Sequence, residues 1–129
     1  MDRSANMRAI RSKGTKPEMC VRRFVHGLGY RYRLHVSGLP GTPDLVFPRM
    51  RKVIFVHGCF WHMHQICRDG RIPESRRDYW EPKLLGNVKR GRKNLAALRR
   101  LGWRPLVVWE CELEDPARVQ KKLTRFLNE

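Results

Sequence analysis

Asp44-Leu45-Val46-Phe47-Pro48-Arg49-Met50-Arg51-Lys52-Val53-Ile54-Phe55-Val56-His57 holds two short apolar runs joined by the basic turn Arg49-Met50-Arg51. Both runs are too short for a stable helix and rich in β-branched and aromatic residues. Residues 44–48 and 52–57 are therefore expected as buried strands of an antiparallel hairpin. Upstream, Leu39-Pro40-Gly41-Thr42-Pro43 reads as a turn, and residues 31–35 alternate like a half-exposed strand. Thr15-Lys16-Pro17-Glu18 is a capping box with proline in the first turn. Met19, Val21, Phe24, Val25 and Leu28 then recur at helical spacing before Gly29 closes the segment. Cys20, on the apolar side, is expected as a small core residue.

Downstream, a basic helical region is expected from about 76 to 101, interrupted near Pro82, with an inward face of Leu84, Leu85, Val88, Leu95, Leu98 and Leu101. Gly102 stops it. Residues 104–109 read as another buried strand, with Trp103 and Trp109 in the core. Residues 116–127 read as a final helix with Val119, Leu123, Phe126 and Leu127 inward. The order α-β-β-β-α-β-α predicts an α/β domain: one mixed sheet flanked by helices, over residues 17–129. Residues 1–16 are basic and lack an apolar period, so they are expected to form a flexible arm.

The 129 residues carry 28 Lys and Arg against 12 Asp and Glu, a net charge of +16. Such an imbalance exceeds what a solvated surface needs and points to a polyanion, with strongly salt-dependent binding. A ribosomal or chromatin-like binder shares this composition. No apolar run approaches the ~18 residues of a membrane-spanning helix, and the N-terminus has no apolar signal core. The expectation is a soluble, intracellular protein. In a reducing compartment its four cysteines are expected as thiols or metal ligands.

Two constellations carry the chemistry. Asp44 opens a strand directly after a Gly/Pro turn; a carboxylate there can hold Mg²⁺ while leaving water in place, or can simply cap the turn. Residues 57–67 contain three histidines and two cysteines. Cys59, His64 and Cys67 offer three ligands on one loop, and Cys111 is the natural fourth for tetrahedral zinc, which would pin an irregular loop to the sheet. His62 could replace His64 in that set. The histidines left over, with His57, suit acid–base work near neutral pH. Phe60 and Trp61 lie in this polar loop, and Tyr79-Trp80 follows Arg76 and Arg77. Rings on basic loops can wedge between base pairs, although Trp80 suits a core equally well. Lys83, Lys89, Arg90, Arg92, Lys93, Arg99 and Arg100 form a nearly acid-free basic face suited to phosphates.

Residues 6–11 (Asn-Met-Arg-Ala-Ile-Arg), 39–44 (Leu-Pro-Gly-Thr-Pro-Asp), 53–62 (Val-Ile-Phe-Val-His-Gly-Cys-Phe-Trp-His), Tyr79-Trp80 and 107–111 (Val-Val-Trp-Glu-Cys) closely resemble the very-short-patch repair (Vsr) endonucleases. The resemblance implies a restriction-endonuclease-like, PD-(D/E)xK-type core with a zinc-stapled loop. It implies Mg²⁺-dependent nicking of one strand of double-stranded DNA, 5′ of the T in T:G mismatches left by deaminated 5-methylcytosine. It assigns Mg²⁺ to Asp44 and the Val56 carbonyl, the general base to His62, and supporting roles to His57 and Glu18. It assigns structural Zn²⁺ to Cys59, His64, Cys67 and Cys111, and intercalation to Phe60, Trp61 and Trp80. DNA contacts are expected from Arg8, Arg11 and Lys13 in the arm and from Lys89, Arg90 and Lys93. The partners implied are mismatched DNA, bound by a single copy of the chain, and functionally a DNA cytosine methyltransferase and mismatch-repair proteins, with no membrane. In place of the superfamily's usual (D/E)-x-K the chain has Phe55-Val56-His57, and Arg90-Gly91 stands where Arg-Asp is frequent. A related nuclease of different preference and a non-catalytic zinc-dependent DNA-binding module are the competing readings.

Overall fold

The computed structural model describes residues 15–64 and 71–129. Its elements are α1 (Lys16–Gly27), β1 (Arg33–Leu34), β2 (Leu45–Phe47), β3 (Lys52–His57), α2 (Arg77–Arg100), β4 (Arg104–Trp109), a 3₁₀ helix (Glu110–Glu114) and α3 (Pro116–Asn128). The strands form one sheet in the order β1-β2-β3-β4. Pairing is antiparallel from β1 through β3, so the expected hairpin forms, and parallel between β3 and β4. A parallel join needs a long crossover, which α2 supplies.

Strand alternation sends side chains to two cores. On one face Leu45, Phe47, Ile54 and Val108 pack with Val21 and Val25 of α1 and with Val119, Leu123, Phe126 and Leu127 of α3. On the other, Val46, Val53 and Phe55 pack with Leu98 of α2. The sheet is thus covered on both sides, as β2 and β3, apolar on both faces, require. Thr15 caps α1 by accepting the Glu18 N–H, as the capping box predicts.

Four expectations need correction. α2 runs unbroken through Pro82. The hydrogen bond that proline forfeits is the one to the carbonyl of Asp78, an exposed residue in the first turn that water can serve. β4 is an edge strand, so only its Val108 is fully buried, and Trp103 and Trp109 are half-buried rather than core. Leu85 and Leu101, expected inward, are 48% and 55% exposed. Cys20 is likewise only half-buried.

The buried Lys52 closes α3: its Nζ donates to the carbonyls of Phe126 (2.7 Å) and Glu129 (2.8 Å). A cation at a helix C-terminus satisfies orphan carbonyls and opposes the dipole. Lys52→Met is expected to cost about 1–3 kcal/mol by stranding these acceptors, read as a lowered urea midpoint with an unchanged slope.

Candidate active site

Because β2 runs against β3 and β4 runs with it, the start of β2 and the ends of β3 and β4 meet at one end of the sheet. Asp44 stands there, ahead of β2. Its N–H donates to Ile54 (3.1 Å), its carbonyl accepts from the N–H of His35 (3.3 Å), and its Oδ2 accepts the N–H of Val56 (2.7 Å). The turn before it depends on Gly41, whose φ is +78°. A Cβ there would lie 3.1 Å from both Asn94 of α2 and the Phe55 ring. Only glycine takes this conformation and approach without strain.

Glu18 reaches the same place from α1. It is 1% exposed, and its Oε2 bonds Arg22 and lies 3.1 Å from His35 Nε2. His35 Nδ1 is 3.9 Å from Asp44 Oδ1. Donor atoms of Glu18, His35 and Asp44 all lie within 4.8 Å of one another, and Glu18 Oε1 has no hydrogen-bond partner among the described residues. Burial raises the Asp44 carboxyl to about 7, helped by the charge of Glu18 and opposed by the Val56 N–H and by Arg22. A buried carboxyl with an unused oxygen beside a second, half-buried one is a poor arrangement for an isolated protein and a suitable one for a hard divalent cation. His35 was not among the residues singled out from sequence. In Arg31-Tyr32-Arg33-Leu34-His35 it passes for one polar position of an alternating strand, and only folding brings it to the two carboxylates.

One residue beyond Val56, the His57 ring stacks on His62, with centroids 3.7 Å apart and planes within 6°. Burial lowers His57 to about 3, with the charge of His62 contributing, and lowers His62 to about 4. Both rings are therefore neutral near pH 7 and able to accept a proton. They open on a cleft of about 610 Å³ whose other walls include Leu85, Val88 and Arg92 of α2 and Trp109 of β4. The exposure of Leu85 thus belongs to the cleft. Asp44 does not line it, but reaches it through Val56 and His57.

A second cluster flanks the first. His64 Nδ1 lies 3.7 Å from Cys59 Sγ and 3.3 Å from Cys111 Sγ. A sulfur and a nitrogen bound tetrahedrally to one zinc would stand about 3.6 Å apart, so these donors fit that ion. The structure thus brings His64, not His62, to the cysteines. His64 also stacks on Trp109 at 4.1 Å. Cys111 arrives on the 3₁₀ helix, fixed by Glu112, which accepts the Trp109 N–H and pairs with Lys122 at 2.8 Å. Cys67 lies outside the described residues, as do Arg8, Arg11, Lys13 and nearly all of the expected arm.

The three candidate wedge rings touch one another. Phe60 (6% exposed) and Trp80 (3%) pack with Leu84, and half-buried Trp61 lies 5.5 Å from Phe60 and 6.1 Å from Trp80. Asn87 of α2 ties the group down by donating to the Trp61 carbonyl. Lys89, Arg90 and Lys93 are exposed on α2.

The catalytic domain of the homing endonuclease I-Bth0305I superposes with a TM-score of 0.62, covering 88% of this chain and 94% of that one at 19% identity. The fold is thus restriction-endonuclease-like, as expected. The family described as DNA mismatch endonuclease Vsr matches residues 1–68. A type II nicking enzyme, V.XorIIP, of Xanthomonas oryzae is 52% identical over 95% of this chain and 89% of its own. DNA mismatch endonuclease Vsr of Escherichia coli is 43% identical over 95% of this chain and 75% of its own. The chain belongs to the Vsr family of DNA mismatch endonucleases and is a nuclease. Among the described residues no helix is long and apolar enough to cross a membrane.

Two outcomes follow from the site. An acid whose folded pKa of about 7 exceeds its ordinary 3.8 is penalised once the unfolded chain ionises. Asp44→Asn should therefore raise the melting temperature of metal-free protein, with the gain absent below about pH 4, growing to pH 7 and level above it, as read by thermal melts across pH. Elemental analysis should find one zinc per folded chain, and Cys111→Ala or a strong chelator should lower the melting temperature.

Proposed function

We propose that the chain is an Mg²⁺-dependent endonuclease that nicks one strand of duplex DNA, 5′ of the T in a T:G mismatch, in very short patch repair of deaminated 5-methylcytosine. The observation that carries this reading is the continuity from Asp44 through Val56 and His57 to His62 at one sheet end, with an oxygen-rich pair on one side and neutral imidazoles on the other. Binding alone needs none of these groups.

Asp44 and the Val56 carbonyl would hold Mg²⁺, which when bound supplies positive charge at the scissile phosphate. His62 takes the proton from a water attacking phosphorus. Its proton affinity is depressed in the free chain and rises as the phosphate's negative charge enters the cleft. His57, stacked against it, fixes the plane of that ring, and Glu18 backs the Asp44 carboxylate. The leaving 3′-oxygen departs opposite the water.

Phe60, Trp61 and Trp80 enter the base stack beside the mismatch, where unstacking costs least. Because Phe60 and Trp80 are buried together, entry requires this cluster to open. The packing lost is offset by stacking on bases, so only distorted DNA repays it. Lys89, Arg90 and Lys93 grip phosphates from α2, while Arg8, Arg11 and Lys13 reach the duplex from an arm formed by residues 1–16. Zn²⁺ on Cys59, His64, Cys67 and Cys111 holds the turn that carries His62 and two of the rings. The enzyme works as a single copy in the cytoplasm, on nucleoid DNA, alongside a cytosine methyltransferase and mismatch-repair proteins.

A panel of matched and mismatched duplexes with varied flanks tests this. Nicking should require Mg²⁺, favour T:G and fall to background in Asp44→Ala. His62→Ala should lose about 10²–10⁴-fold in rate while binding DNA normally. Preferred cleavage of matched DNA, or binding without scission under any divalent metal, would contradict it.

A further inference from the structure

The imidazole of His35 lies between the two carboxylates of the site. Its Nε2 is 3.1 Å from Glu18 Oε2 and its Nδ1 3.9 Å from Asp44 Oδ1. The first is a hydrogen-bond distance. The second is too long for one, but two ligands each about 2.1 Å from a single ion stand roughly 3–4 Å apart. With Nε2–H donated to Glu18, the Nδ1 lone pair is left facing the Asp44 carboxylate. Arg22 lies 3.4 Å from the same Nε2. Its guanidinium already bonds Glu18, and the shorter, charge-assisted contact to the carboxylate decides the tautomer. Ligating histidines characteristically give their second N–H to a carboxylate, which orients the ring and raises its basicity.

Two further observations point to an ion. Glu18 is 1% exposed, yet its Oε1 has no hydrogen-bond partner among the described residues. His35 itself sits at φ +48°, a left-handed conformation costly for a residue with a Cβ, and is held there by its N–H to the Asp44 carbonyl. Strain of this kind is retained where a side chain must be aimed.

We propose that His35 is a nitrogen ligand of the divalent ion at Asp44, with buried Glu18 as the outer carboxylate that fixes the ring. The proposal rests on the metal site of the proposed function and extends it. A nitrogen donor among oxygens favours Mn²⁺ and later transition ions over Mg²⁺ and Ca²⁺. The chain's site is then less strictly magnesium-selective than an all-oxygen one.

The test is pulsed electron paramagnetic resonance on the full-length, zinc-loaded chain with one equivalent of Mn²⁺, alongside Mn²⁺ and Mg²⁺ affinities by competition. The wild-type protein should show a directly coordinated ¹⁴N. Asp44→Ala should lose the bound Mn²⁺. His35→Ala should keep it about tenfold more weakly and without the nitrogen coupling, with Mg²⁺ affinity less affected. His35→Gln serves if the alanine protein does not fold. Asp44-dependent Mn²⁺ lacking any nitrogen, or nitrogen coupling that persists without His35, would overturn the ligand assignment and leave the metal site standing. Absence of any Asp44-dependent Mn²⁺ would remove the metal site itself.

Discussion

The hydrogen bond from the Val56 N–H to Asp44 Oδ2, at 2.7 Å, is the joint on which the site turns. It forms because antiparallel pairing sets the first residue before β2 against the last residues of β3, a register fixed by Leu45 opposite Ile54. A slip of one residue would turn Leu45, Phe47 and Ile54 out of their core and carry Asp44 away from Val56. Burial of the hairpin and placement of the carboxylate are therefore one requirement. The same bond partly offsets the desolvation of Asp44, which still leaves the carboxyl near neutrality. That unrelieved charge is the usual signature of a site built for a ligand rather than for stability.

Around this joint, three kinds of support hold groups that packing alone could not. α1 brings Glu18 from one face of the sheet, and α2 closes the cleft from the other. The turn after β3 has little apolar content to bury besides its aromatic rings, yet it must hold His62 against His57. Cys59 and His64 on that turn converge on Cys111 from the end of β4, so a metal cross-link there would substitute for a core. The Lys122–Glu112–Trp109 bonds fix the Cys111 side from α3.

Elements with strong local signals were legible before folding: the Thr15 cap, the two apolar runs of the hairpin, and the α3 stripe of Val119, Leu123, Phe126 and Leu127. Asp44, the Cys–His turn and Cys111 were legible as chemistry because their residue types and spacing are unusual. What could not be read depends on tertiary position. Pro82 suggests a break, but exposure of the lost acceptor makes it tolerable. The Val107-Val108-Trp109 run suggests burial, yet β4 is an edge. Phe60 and Trp80 show no sequence period that would reveal their mutual packing. His35 has no local motif at all, since its partners are 17 and 9 positions away in the chain.

If the proposed site is right, one ion bound at Asp44 stands beside both His57 and His62. Fe²⁺ placed in that site, with ascorbate and peroxide, cuts the polypeptide wherever the chain approaches the ion. Fragments should end near Asp44 and within residues 56–62 in the same reaction, both suppressed by excess Mg²⁺ and by Asp44→Ala. Cuts near Asp44 with none in residues 56–62 would contradict that placement.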